Sequence, residues 1–320
     1  MAMHNSVHSM ERVAPSTGDK VIAAIQLFYG VPSFTLMIAL FFFLGVSKSY
    51  RHSFYRLVQL DLLTNMLCYL NTWLAVRLEK HVFGVMFLKS LENMIPGTLS
   101  VLKMMLNFFL HMQFGSSAVL NLHRSSSVRF YATFEKFWSR YYILYGLICV
   151  AYSTLPLFYI HGYALEASII NGTLMSSFHS EVIGELLFLN AVCSIVYFLL
   201  MLILGLYTAV LVSKTVRTYN SDDHGTSKKL TKVSFTYSAL YIGILLWSIV
   251  SAMDSYFPFL PGVFETYMMD ILMFSSDMMT LSLPYILLLN DSNIKRNLLP
   301  LLSKREVSRT NNTVFISPTG

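Results

Sequence analysis

Three residues with polar or aromatic side chains interrupt long apolar stretches of the sequence at similar depths. Lys103 and Asp270 each lie a few residues inside such a stretch, and Trp247 lies inside another. If the stretches are helices that rise about 1.5 Å per residue, Lys103 lies roughly 9 Å and Asp270 roughly 6 Å below one membrane face. A charge at that depth usually faces the interior of a helix bundle and marks a function. The three side chains are therefore candidates for binding a small polar ligand.

Lys103 and Asp270 also allow a structural interpretation. They could form an ion pair that holds two helices in register, since intramembrane charges are commonly neutralised by a partner. The Lys103 ammonium could instead extend along its stem to the membrane surface. An unpaired Lys103 would favour an anionic ligand, whereas a paired one offers no net attraction. Trp247 by itself would more often pack in the core than touch a ligand.

A second pair of polar residues lies deeper in the same stretches. His111 and Asp277 lie roughly 21 Å and 16 Å below the same membrane face by the same count. If their helices adjoin, the two side chains could share a hydrogen bond and act as a switch. The alternative is a satisfied core contact, because buried polar groups usually find a partner.

Polar residues also mark the opposite end of the predicted bundle. Asp61 and Asn65 are four residues apart and so share one helix face. Asp61 lies about 6 Å from the end of its stretch, which predicts that it braces this end against Arg124 or Arg56. Arg124 follows another apolar stretch, where arginines commonly anchor a helix at the cytoplasmic surface.

The elements that carry these residues are predicted to be transmembrane helices. Of the 320 residues, 55% are hydrophobic and 12% charged, and the mean hydropathy is +0.56, against about 45–50% apolar and 25% charged residues in soluble domains. A span needs about 20 apolar residues. Seven such stretches lie roughly at 21–46, 57–76, 97–121, 141–161, 182–212, 233–253 and 266–290. We therefore expect an all-α seven-transmembrane bundle over 21–290, flanked by segments 1–20 and 291–320.

The basic residues predict the orientation of this bundle. Most of the 23 Lys and Arg residues lie in the connectors after the first, third and fifth stretches and in the segment after residue 290. Positive connectors are retained in the cytoplasm, so the amino terminus is expected outside and the carboxyl terminus inside. The sequon at Asn171 then lies outside, where it could be glycosylated. Residues 294–299 form a basic amphipathic stretch that could lie on the inner membrane surface or form a solvated flank.

Several longer motifs resemble one family. Residues 53–65, continuing through Cys68 to Trp73, resemble the second span of nematode serpentine receptors of class gamma. Residues 27–33 and 283–289 support the resemblance, which covers roughly residues 21–300. It implies a G-protein-coupled chemoreceptor in the plasma membrane of chemosensory neurons, which binds a small environmental or pheromone molecule and a heterotrimeric G protein. By this resemblance Arg124 would lie near the G-protein contact.

Other functional classes fit the residues less well. Residues 266–290 contain no lysine for a retinal Schiff base, and His111 is the only histidine deep within a stretch, so neither a cofactor nor a metal is expected. An enzyme is not expected either. The basic residues lie between apolar blocks, which argues for membrane lipid and against nucleic acid as a partner. The remaining alternative is a small-solute transporter or channel, although no internal repeat is visible.

Overall fold

The computed structural model describes residues 17–130, 133–160, 165–170, 173–178, 180–218, 236, 239–240, 244–254, 262–291 and 293–298. The described residues of all seven predicted stretches are helical, except Gly97 and Thr154, which lie in turns. The helices are α1 (Thr17–Val46), α2 (Ser53–Thr72), α3 (Val82–Met94), α4 (Thr98–Arg129), α5 (Phe134–Ser153), α6 (Leu155–Ile160), α7 (Ser180–Thr218), α8 (Ile244–Asp254), α9 (Gly262–Asn290) and α10 (293–298).

Four helical segments in the described ranges are long and apolar enough to cross a membrane. They are Lys20–Val46, Phe134–Phe158, Gly184–Leu211 and Asp270–Asn290. Helices α2 and α4 are more polar, because they carry buried side chains such as Asp61, Asn65 and Gln113. The two helices pack against each other, so these polar groups face protein and not lipid.

The end of α2 departs from regular helix. A π turn spans Trp73–Arg77, and a 3-10 turn spans Leu78–Lys80. A π turn holds one more residue than an α turn, so the side chains after it point in directions that α spacing does not predict. Helix α3 then packs closely on the 3-10 turn. A Cβ atom on Gly84 would lie 2.1 Å from the Leu78 carbonyl oxygen, so only glycine fits there.

A sharp turn between α3 and α4 sets the start of α4. Gly97 has a φ of 93°, a left-handed conformation that favours glycine. The Glu92 carboxylate accepts hydrogen bonds from the Gly97 and Leu99 backbone N–H groups at 2.7 and 2.9 Å. These bonds satisfy amides that the helix itself leaves unpaired at its amino end.

The connector after α5 and α6 contains a β-hairpin that the sequence did not predict. Strands β1 (Leu165–Ile170) and β2 (Thr173–Phe178) are antiparallel, and Ile170 pairs with Thr173. Asn171 falls between the strands, outside the described residues. The predicted all-α class therefore holds for the bundle, and the hairpin belongs to a connector.

Helix α10 packs on the bundle through its apolar face. Ile294 and Leu298 are buried, whereas Lys295 is exposed. The Asn297 amide donates to the Tyr50 hydroxyl at 3.3 Å. Burial is the main cause that raises the pKa of the Tyr50 phenol above its ordinary value. The amphipathic stretch predicted at 294–299 is thus anchored by protein contacts, with its basic residues exposed.

Candidate ligand-binding site

The two charges that the sequence placed in one layer do not pair with each other. The Lys103 ammonium donates to Glu79 Oε2 at 2.7 Å, and the Lys80 ammonium donates to Asp270 Oδ1 at 2.6 Å. The ion pair considered between Lys103 and Asp270 is therefore wrong. The two charges do not pair because the connector after α2 folds into the bundle and supplies another partner to each of them. Lys103 and Glu79 are 12% and 9% exposed, whereas Lys80 and Asp270 are 33% and 18% exposed.

A third ion pair lies deeper and joins the π turn to α9. Arg77 Nη2 donates to Asp277 Oδ1, and the Tyr29 hydroxyl donates to Asp277 Oδ2. Both charged side chains are 3% exposed. The predicted hydrogen bond between His111 and Asp277 is wrong, because Arg77 and Tyr29 take the carboxylate. His111 instead packs beside aromatic rings of α5 and α7.

Aromatic rings also surround the Arg77 guanidinium. Its central carbon lies 5.2 Å from the Tyr69 ring centroid and 5.0 Å from that of Trp73, distances at which a cation is attracted to the ring face. Arg77 Nε and Nη1 have no hydrogen-bond acceptor among the described residues. A buried donor without an acceptor costs about 1–3 kcal/mol. The two unpaired N–H groups of Arg77 therefore lower the stability of the folded state.

Arg77 borders a small cleft between α1, the π turn and α9. The cleft has an internal volume of about 20 Å³, close to the space of one water molecule. Its lining consists of Ile22, Ala23, Gln26, Val76, Arg77, Lys80, His81, Asp270 and Met273. Of the residues proposed from the sequence, only Asp270 lines it, and Asp277 binds the lining residue Arg77. Lys103, Trp247 and His111 are not part of its wall.

His111 and Trp247 take part in aromatic and apolar packing. The His111 ring lies 6.0 Å from the Tyr152 ring and 6.3 Å from the Tyr197 ring, measured between centroids. Trp247 packs against the main hydrophobic core. The structural interpretation of both residues therefore describes their contacts better than a shared ligand site does.

A chain of hydrogen bonds crosses the middle of the bundle from α9 to α2. The Gln113 amide on α4 donates to Thr280 Oγ1 at 2.9 Å and to Asn65 Oδ1 at 2.7 Å. Asn65 and Ser116 each donate to the carboxylate of Asp61, which is fully buried. Asp61 and Asn65 share a face as predicted. They contact Gln113 and Ser116 of α4 in the bundle interior.

Arg124 lies in a cluster at the junction of α2, α4 and α5. Its guanidinium carbon lies 4.8 Å from the Phe54 ring centroid. The neighbouring His123 ring shares a 2.8 Å hydrogen bond with Ser53 Oγ, which in turn donates to Glu135 Oε2 at 2.7 Å. Arg124 is thus held among buried side chains and is not a solvated surface anchor.

The sequence missed Arg77 and Lys80, which line the cleft, and Glu79, which binds Lys103. They directly follow the second apolar stretch and were counted as connector residues. Trp73, four residues before Arg77, is the one local signal, since residues at this spacing can stack on a helix. In the described part of the chain no cluster of three His, Cys, Asp or Glu side chains could hold a metal ion.

Known proteins are similar to this chain over most of its length. The family model described as Srg family chemoreceptor matches residues 23–298. Serpentine receptor class gamma-47 of Caenorhabditis elegans is 37% identical over 278 residues, which cover 86% of this chain and 89% of that protein. Serpentine receptor class gamma-53 of the same organism is 28% identical over 290 residues, which cover 88% and 93%.

The fold has a counterpart among solved structures. The crystal structure of squid rhodopsin matches with a TM-score of 0.59 and 12% sequence identity, over 100% of this chain and 97% of that chain. At this identity the likeness concerns the fold alone. The predicted seven-transmembrane bundle is confirmed.

Proposed function

The chain belongs to the Srg family of chemoreceptors, and from this membership we propose that it couples ligand binding to a heterotrimeric G protein. It is a multi-pass membrane protein and a chemosensory receptor. The proposed ligand is a small environmental or pheromone molecule bound in the outer half of the bundle. We place the receptor in the plasma membrane of chemosensory neurons and assign it no catalytic activity of its own. Family membership favours this function over a small-solute transporter or channel.

The observation that carries the proposal is the position of Asp277 between the cleft and the polar chain. Asp277 binds Arg77 on the cleft side, and Thr280 lies three residues further along α9, on a neighbouring part of the same face. Thr280 is the first member of the chain that leads through Gln113 to α2. A ligand that binds one arrangement of Arg77 and Asp277 more tightly shifts the population of that arrangement. Movement of α9 would then change the contacts of α2 and α4.

The proposed G-protein contact lies at the opposite end of α2 and α4. Arg124 and the Ser53–Glu135 hydrogen bond tie α2, α4 and α5 together there. A shift of α2 relative to α4 would loosen this junction. With the amino terminus outside and the carboxyl terminus in the cytoplasm, as the basic residues favour, this end faces the cytoplasm. The same orientation puts Asn171 outside as a glycosylation site.

The experiment is a ligand screen with a G-protein readout in cells that express the full chain. Arg124→Gln is expected to reach the surface and to lose most of the response. The matched control is Arg129→Gln, because Arg129 lies on the same helix but is exposed and donates to the Tyr207 hydroxyl at 2.9 Å. Ligand-driven solute flux in liposomes without nucleotide exchange on the G protein would refute the receptor mechanism in favour of transport.

A further inference from the structure

Arg77 is a buried cation with unused hydrogen-bond donors at the edge of a cleft. A guanidinium carries five N–H donors, and Nη2 is the atom that binds Asp277. Nε and Nη1 find no acceptor among the described residues, although the side chain is 97% buried. Buried donors are normally satisfied, and an unsatisfied one calls for an explanation. Arg77 is also one of the residues that line the cleft, so a ligand bound there could supply the missing acceptor.

The cleft wall divides into a charged part and an apolar part. Arg77, Lys80 and His81 lie on the segment after α2, while Ile22, Val76 and Met273 supply apolar surface. Five of the nine lining residues are polar, the acidic Asp270 among them, and polar groups beside apolar surface are typical of sites for small molecules. The charged part suits an oxyanion, and the apolar part suits a hydrocarbon body attached to it.

Lys80 offers a second contact for the same anion. Its ion pair with Asp270 is 33% and 18% exposed, so Asp270 can exchange Lys80 for water. Lys103 and Glu79 are more deeply buried, so water cannot replace either partner in the same way. Neither residue lines the cleft. For a carboxylate to replace Asp270 as the partner of Lys80, the Asp270 side chain must turn to the solvent, which its partial exposure allows.

We propose that this cleft binds the carboxylate of a small amphipathic carboxylic acid, with Arg77 Nε and Nη1 as donors and Lys80 as a second cation. This inference rests on the proposed function, because it assigns the ligand-binding site and the chemical class of its ligand. A carboxylate suits a guanidinium because their hydrogen bonds are charge-assisted. The cleft has space for little more than one water molecule, so binding of the acid requires the cleft to widen along its apolar residues.

The test uses the purified full-length receptor in detergent micelles, with hexanoate as the probe and hexanamide as its uncharged match. Hexanoate is expected to raise the Tm of the receptor in a concentration-dependent manner, because a ligand stabilises the folded state that it binds. Hexanamide is expected to leave the Tm unchanged. Equal shifts with both probes, or no shift with hexanoate, would overturn the proposal.

Variants then assign the effect to the cleft. The double variant R77Q/D277N removes both charges of the buried pair and should weaken hexanoate binding at least about tenfold, the value expected for a lost charged hydrogen bond. The matched control K103Q/E79Q removes the other buried pair and should retain binding. If R77Q/D277N does not fold, K80Q at the partly exposed mouth should still weaken binding severalfold. Undiminished hexanoate binding by K80Q, or by a folded R77Q/D277N, refutes the site.

The result also separates this inference from the proposed function. Hexanoate binding without nucleotide exchange on a reconstituted G protein would support the site and refute the coupling. A ligand from the screen that activates the receptor equally well after R77Q/D277N would support the coupling and refute the site.

Discussion

The three ion pairs on the segment after α2 should differ in their contribution to stability according to burial. We expect the single changes Arg77→Gln and Asp277→Asn to destabilise the receptor strongly, because each leaves the opposite charge buried at 3% exposure. The double change should recover much of the loss, since neutral side chains leave no stranded charge.

The magnitude follows from the environment of each pair. Removal of one partner of a buried pair costs about 3–5 kcal/mol, and replacement of both partners is often close to neutral. The pair of Lys80 and Asp270 lies nearer the solvent, at 33% and 18% exposure, and an exposed pair contributes about 0–1 kcal/mol. Asp277→Asn should therefore cost several times more than Asp270→Asn, the matched control on the same helix.

The assay measures surface expression in cells and the Tm of the purified receptor for the parent, the two single variants, the double variant and the control. The expected order of Tm is parent and Asp270→Asn highest, the double variant next, and the single variants Arg77→Gln and Asp277→Asn lowest. Equal losses for Asp277→Asn and Asp270→Asn would contradict the argument from burial. A double variant that loses the sum of both single effects would show that Arg77 and Asp277 do not interact.

Three further results are expected. Protease or antibody access in intact cells should reach the loop around Asn171 but spare residues 300–320, and the reverse pattern would refute the orientation. Gly84→Ala should lower the Tm, since the added Cβ would lie 2.1 Å from the Leu78 carbonyl oxygen. An unchanged Tm would show that α3 can move away from the 3-10 turn. Ile294→Ala should cost about 2–5 kcal/mol of stability because the side chain is fully buried, and exposed Lys295→Ala should cost less than about 0.5 kcal/mol; equal Tm values would mean that α10 does not dock on the bundle.

The depth of a residue in the bundle could be read from the sequence, but its partner could not. Counting residues from the end of an apolar stretch gives the position along a helix axis, and it put Lys103 near Asp270 and His111 near Asp277. Side-chain contact also depends on rotation about each axis and on which helices adjoin. The structure gives Lys103 and Asp277 other partners, Glu79 and Arg77.

The connectors were the least predictable part of the fold. The hydropathy of the sequence does not change at the Trp73–Arg77 π turn, so no hydropathy pattern predicts it. This turn nevertheless directs the Arg77 side chain into the bundle. The hairpin at 165–178 is equally hidden, because its strands lie among residues of mixed polarity next to an apolar stretch. Both features depend on packing against distant elements, which local patterns do not encode.

The sequence by itself determined that the chain is a seven-helix membrane protein and indicated its family. Long apolar stretches report the solvent around each helix, and this is a local property that needs no knowledge of neighbours. Only the tertiary structure decided which charges pair, that Arg77 borders a cleft, and that Asp61 joins a chain of hydrogen bonds to α9. These outcomes depend on rotation and contact between helices far apart in the chain, where the need to satisfy each buried charge selects its partner.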